Sequence, residues 1–161
     1  TATLGRCGSL DNGGVAIDLD SGRGAWQGIQ NEDDKMQTGF IGLGAVGGKL
    51  AGNLLNNGVA LCVHDLDLAR VAEFTACGAK GGLSAADIMR GCDVVITSLP
   101  NPAASEAVLA EMLPEMGPGK IWIEMSTTDP TMIVSQAARV AQTGAIAISL
   151  CPSKTLSPRC K

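Results

Sequence analysis

The chain has 161 residues, of which 45% are hydrophobic and 17% charged, enough for one domain with a real core and too few for a cofactor domain plus a full substrate domain. Its net charge of −4, with no clustered Lys and Arg, argues against a nucleic-acid or anionic-membrane partner. Glycine is the outlier at 21 residues, nearly twice the ~7% of average proteins, so part of the chain needs bare backbone.

Residues 1–35 carry seven glycines and a net charge of −3, and no sustained period of 2 or 3.6 runs through them, so an irregular N-terminal extension is expected. They lack an apolar central run, and neither a signal peptide nor an Arg-rich transit peptide fits. Met36 opens a periodic region. Thr38 to Ile41 reads as a short strand, and the helix after it carries Val46, Leu50 and Leu54 at helical spacing before a stop at Gly58. Val59 to His64 is a second strand. Asp67 caps a helix through Ala76, a third strand lies near Lys80, and Ser84 with Asp87 forms a capping box for a short helix ended by Gly91. Asp93 to Leu99 is the clearest buried strand, with Pro100 and Pro102 ending it. Ala103 to about Met112 reads as helix and Ile121 to Met125 as a fifth strand. Asp129 caps a helix with Pro130 in its first turn, and Ala145 to Leu150 is a sixth strand. Residues 151–161, with net charge +3, are turn-rich and form a tail outside the fold. This alternation over 36–150 predicts an α/β domain, a parallel sheet with helices on both faces.

The six cysteines include no Cys-x-x-Cys and His64 is the single histidine, so no metal site is expected. The cysteine pattern suits small thiols in a reducing compartment, and no apolar stretch approaches the ~20 residues of a membrane span. A soluble, cytoplasmic protein is expected.

Gly42-Leu43-Gly44-Ala45-Val46-Gly47 fits G-x-G-x-x-G directly after a strand and at the opening of a helix. There the first glycine makes the turn, the second admits a pyrophosphate, and the third lets helix and strand pack. The helix N-terminus adds unpaired N–H groups. The same residues also suit a tight turn with no ligand. Asp65 separates the two readings, because it ends the second strand 18 residues after Gly47, near the ~20 expected of a carboxylate that binds the adenosine ribose. No Arg occurs in residues 65–69 to receive a 2′-phosphate, which favours NAD over NADP. Lys49 is followed by Leu50, which excludes an ATP-binding P-loop.

Residues 37–58, Asp93 to Pro100 and the run Ile123-Glu-Met-Ser-Thr-Thr-Asp-Pro130 together resemble the β-hydroxyacid dehydrogenases, which include 3-hydroxyisobutyrate dehydrogenase and the cofactor domain of 6-phosphogluconate dehydrogenase. The resemblance covers about residues 37–148. It implies a Rossmann-type, doubly wound and mostly parallel sheet, and NAD(P)-dependent oxidation of a short β-hydroxyacid or reduction of the matching semialdehyde. By position it implies that Leu99 and Pro100 line the cofactor and that Thr127 approaches the nicotinamide side. Val46 stands where the family commonly has Met.

Past Leu150 the sequence departs from the family, since Cys-Pro-Ser-Lys-Thr stands where the resemblance calls for an Asp-x-Pro-Val-Ser-Gly-Gly substrate loop. The resemblance places the family's catalytic lysine in a helical second domain whose motif is not expected in residues 151–161, so neither Lys154 nor His64 is assigned a catalytic role. The leading expectation is therefore a truncated cofactor domain of an oxidoreductase, inactive alone, and a homo-oligomer would only repeat the missing parts. The alternative is a stand-alone NAD-binding or interaction module without catalysis. The composition breaks predict that limited proteolysis trims the chain towards residues 36–150 and leaves a resistant core, read by mass spectrometry of the fragments.

Overall fold

The computed structural model describes residues 36–126 and 129–150. The expectations for residues 1–35, for residues 151–161 and for Thr127 lie outside the described residues. In chain order the elements are β1 (Thr38–Ile41), α1 (Gly47–Asn56), β2 (Leu61–His64), α2 (Leu68–Ala76), β3 (Lys80–Gly81), α3 (Ala85–Gly91), β4 (Val94–Thr97), α4 (Pro102–Met112), β5 (Ile121–Glu124), α5 (Pro130–Gln142) and β6 (Ile146–Ser149). All neighbouring strands are parallel, in the order β3-β2-β1-β4-β5-β6. This is the doubly wound order, in which the chain reverses direction across the sheet between β1 and β4.

The strands end earlier than the apolar runs because their flanks have other partners. Val59 N–H donates to the Leu54 carbonyl and so closes the end of α1, leaving β2 to begin at Leu61. Ser98 still donates to the Ile41 carbonyl, but Leu99 N–H turns to the Ser126 hydroxyl. A single 3₁₀ turn, Leu113–Glu115, follows α4 and was not expected.

Four helices begin on a side-chain cap. Asp67 accepts from Ala69 N–H, Ser84 from Asp87 N–H, Asn101 from Ala104 N–H and Asp129 from Thr131 N–H. Bonding to Thr131, through its hydroxyl first and then its amide, holds the Asp129 carboxyl below its ordinary pKa. The Asp87 carboxylate turns to Arg90, 2.8 Å away. Other first-turn amides of α3, those of Ala85 and Ala86, donate instead to Glu111 of α4.

Two cores form, one on each face of the sheet. Phe40, Leu43, Leu61 and Val63 pack under α1 and α2 with Ala51 and Phe74. On the opposite face Ile41, Val95 and Trp122 pack under α3, α4 and α5 with Met89, Leu109 and Val140. Of the stripe predicted for α1, Leu50 and Leu54 pack against the first core, whereas Val46 is the N-cap residue and 65% exposed. Val63, Phe40, Ile96, Ile123 and Ile148 form one row across five strands. Exposure along it rises from 0% at Phe40 to 41% at Ile148, because α1 and α2 cover only one half of that face.

Gly39 of β1 lies beneath α3, where an added Cβ would run into Ile88 and crowd Val95 and Cys92. Cys62 and Cys92 are free thiols. Burial, with Cys62 beside it, pushes the Cys92 thiol up to about 12, so it stays protonated. Gly39→Ala is expected to overpack this site and destabilise by ~1–3 kcal/mol. Gly91→Ala, where nothing lies within 4 Å of the added Cβ, should be neutral or stabilise by up to ~1 kcal/mol. The shifts in urea midpoint should therefore have different signs, or one should be close to zero.

Candidate cofactor site

The glycine loop leaves β1 at the point where the strand order reverses. Gly42 has φ +95°, and a Cβ on it would collide with the Ser98 carbonyl at the end of β4. A Cβ on Gly47 would run into the Gly42 carbonyl oxygen. The fold itself therefore demands both residues. Gly44 is different: its φ is not in the left-handed region, and nothing lies within 4 Å of where its Cβ would be. Leu43 is buried in the core and anchors the loop, while Gly44, Ala45 and Val46 face outward. Helix α1 begins here without a side-chain cap, unlike the other four α-helices among the described residues. Gly48 N–H donates back to the Gly44 carbonyl at 2.8 Å, and with no side chain over the rest of the turn its positive dipole end lies beside an open glycine, which suits a diphosphate.

Asp65 stands at the end of β2, where its spacing predicted it. One carboxylate oxygen accepts from Leu43 N–H at 2.6 Å, and the other accepts from Asp67 N–H at 2.8 Å. Arg70, one residue past the window in which Arg was sought, also reaches the loop. Its Nη1 donates to the Leu43 carbonyl at 2.7 Å and its Nε to Asp67 at 3.2 Å. The signal in the sequence was helical spacing: Asp67 and Arg70 are three apart on the first turn of α2 and share a face. Leu66 and Leu83, at the carboxyl ends of β2 and β3, are 94% and 93% exposed. The His64 ring contacts the Gly82 carbonyl at 3.1 Å and ties these two strand ends together.

Leu99 is half-buried and Pro100 exposed at the end of β4. The Ser126 hydroxyl that accepts from Leu99 N–H at 2.7 Å belongs to a network the sequence reading missed. Glu124, 1% exposed, accepts from Ser126 N–H at 2.6 Å, from the Thr97 hydroxyl at 3.0 Å and from the Ser105 hydroxyl at 2.7 Å. The Trp122 indole N–H donates to the same Thr97 hydroxyl at 3.0 Å. A polar residue at the same register in two buried strands, Thr97 opposite Glu124, was the available clue. Among the described residues no group of three or more His, Cys, Asp or Glu could hold a metal ion. No helix there is long and apolar enough to cross a membrane.

Residues 37–151 match the family described as the NAD binding domain of 6-phosphogluconate dehydrogenase. The NAD-dependent L-serine dehydrogenase of Pseudomonas aeruginosa is 40% identical over 98 residues, 59% of this chain and 33% of that protein. The mitochondrial 3-hydroxyisobutyrate dehydrogenase of Rattus norvegicus is 33% identical over 115 residues, 70% of this chain and 34% of that protein. The chain thus spans about a third of the length of these curated relatives. The solved structure of Mycobacterium tuberculosis 3-hydroxyisobutyrate dehydrogenase with L-serine has the same fold, with a TM-score of 0.67 at 24% identity over 71% of this chain and 39% of that one. The chain belongs to the β-hydroxyacid dehydrogenase family and carries its Rossmann-type NAD-binding domain.

Proposed function

We propose that this domain holds NAD(H) for an oxidoreductase that acts on a short β-hydroxyacid or its semialdehyde, and that it prefers NAD to NADP. The observation that carries this reading is Gly44, a glycine that neither backbone conformation nor packing requires, set at the only uncapped α-helix N-terminus among the described residues. A pyrophosphate accounts for it, because a ligand approaching the backbone there leaves no room for a side chain. In this reading the diphosphate lies on Gly42, Leu43, Gly44, Ala45, Val46 and Gly47. Asp65 accepts hydrogen bonds from the ribose hydroxyls, and Leu66 and Leu83 offer apolar surface to the adenine. Leu99 and Pro100 line the cofactor and Thr127 approaches the nicotinamide side, an assignment that rests on the family resemblance. When bound, the nicotinamide ring accepts or returns the hydride, and the chain's own residues orient it. The Glu124 network would serve this by fixing the Leu99 and Ser126 loops against each other. The thiols of Cys62 and Cys92 suit a reducing compartment such as the cytoplasm.

Gly44→Ala and Gly47→Ala test the carrying observation directly. Gly44→Ala should leave the urea midpoint within ~0.5 kcal/mol of wild type and weaken NADH, followed by its fluorescence, at least tenfold. Gly47→Ala should lose stability as well. Unchanged NADH affinity in Gly44→Ala defeats the reading. Asp65→Asn should cost NADH ~1–3 kcal/mol through weaker ribose bonds and narrow its advantage over NADPH.

A further inference from the structure

We infer that Cys62 and Cys92 form a reversible disulfide when a hydroperoxide reaches the protein, and that this bond weakens the dinucleotide site by pulling on β2. The second half rests on the reading that Asp65 meets the adenosine ribose. The two thiols come from opposite sides of β1. Cys62 of β2 stands opposite Gly39 in the parallel register, and Cys92 leads into β4 on the other side of β1. A side chain on Gly39 would come between them, since its Cβ would lie 3.3 Å from the Cys92 Sγ. With glycine there, the two side chains meet over β1 and the thiols hydrogen bond to each other.

Cys92 is buried, whereas Cys62 is half-buried and meets an incoming oxidant first. Its sulfur attacks one peroxide oxygen and the O–O bond breaks. The Cys62 proton leaves on the other oxygen, as water or an alcohol, and a sulfenic acid remains. The Cys92 sulfur then bonds to the Cys62 sulfur as the S–O bond breaks, and the Cys92 proton departs with the hydroxide as water. The two thiols lose two electrons, the peroxide gains them, and a dithiol reverses the change. Burial makes the Cys92 thiol hold its proton, so this second step is the slower one. A bond is shorter than the contact it replaces, so one side must move. Cys92 is pinned: its carbonyl accepts from Lys120 Nζ at 2.7 Å, and the next amide, Asp93 N–H, donates to the Gln37 carbonyl at 2.9 Å. Less holds β2, which has only the two-residue β3 on its outer side. Asp65 follows Cys62 by three residues, and its carboxylate accepts from Leu43 N–H at 2.6 Å. A pull at Cys62 therefore displaces that carboxylate and the glycine loop bonded to it.

The test treats the full chain with hydrogen peroxide, wild type against Cys62→Ser and Cys92→Ala, with circular dichroism confirming that each is folded. Peptide mapping by mass spectrometry reads the thiols. Fluorescence titration reads the NADH dissociation constant before oxidation, after it and after dithiothreitol. Wild type should yield peptides linked through Cys62 and Cys92, preceded by a dimedone-reactive Cys62. It should then bind NADH at least threefold more weakly until dithiothreitol restores it. Cys62→Ser should keep its affinity, and Cys92→Ala should stop at the Cys62 sulfenic acid. Cys62 oxidised to sulfinic acid with no link to Cys92, or links only among other cysteines, would overturn the inference. A Cys62–Cys92 link that leaves NADH affinity unchanged would overturn it too, as would an equal loss of affinity in Cys62→Ser. If reduced wild type does not bind NADH, the NAD reading fails and the coupling with it, while the linked peptides still decide the disulfide.

Discussion

The close approach of the Gly42 backbone to the Ser98 carbonyl sets the geometry of the whole carboxyl edge of the sheet. Gly42 N–H still donates to the His64 carbonyl of β2, and Ser98 N–H to the Ile41 carbonyl of β1, so β1 stays bonded to both neighbours up to its last residue. The chain must then turn sharply into α1 without pushing β4 aside. Only a residue with no Cβ and a positive φ does so, and Gly42 supplies both. Gly47 closes the turn by seating α1 on the Gly42 carbonyl. The crevice between β1 and β4 is a consequence of these two contacts, and it is where a doubly wound sheet binds its ligand.

The two ends of that crevice are built from different physics. At the β4–β5 end a buried carboxylate, Glu124, is held by two hydroxyls and an amide, all within 3.0 Å. Burying such a group is tolerable only while its bonds are made, and removing one donor leaves an expensive orphan, so the network resists deformation. At the β2 end the groups are charged and nearer to solvent, Asp65 half-buried and Asp67 and Arg70 exposed. Asp65, Asp67 and Arg70 share bonds with the loop backbone and with one another, at energies that solvent largely screens. One end is thus tied by a buried network and the other by charged bonds nearer to solvent.

Most of the fold was legible from the sequence because each element carried its own punctuation. Asp67, Ser84 and Asp129 announced the starts of α2, α3 and α5, and Gly58, Gly78 and Gly144 take the positive φ that ends three helices. Contacts between distant elements were not legible. Arg70 reaching Leu43 spans 27 residues and Ser126 reaching Leu99 also spans 27, and no local pattern encodes either distance. Burial was misjudged at Val46 for a related reason: apolar spacing marks a helix face but not where the helix begins to touch the sheet. Ile146, Ile148 and Leu150 make the same point from β6, being apolar, correctly placed in or beside a strand, and exposed.

The glycine motif shows how far a sequence pattern carries a cause. Gly42, Gly44 and Gly47 are equivalent as letters, yet two answer to the fold and one does not. The missing cap of α1 separates along the same line. Elsewhere the chain spends an Asp, Ser or Asn to satisfy first-turn amides, because leaving them unpaired costs stability. At Val46 no side chain caps them, and only the Gly48 amide is shown bonded, to the carbonyl of Gly44, the one loop glycine that packing does not require. Two departures from what stability alone would select, adjacent in space and both favouring an approaching anion, are what a bound diphosphate would offset.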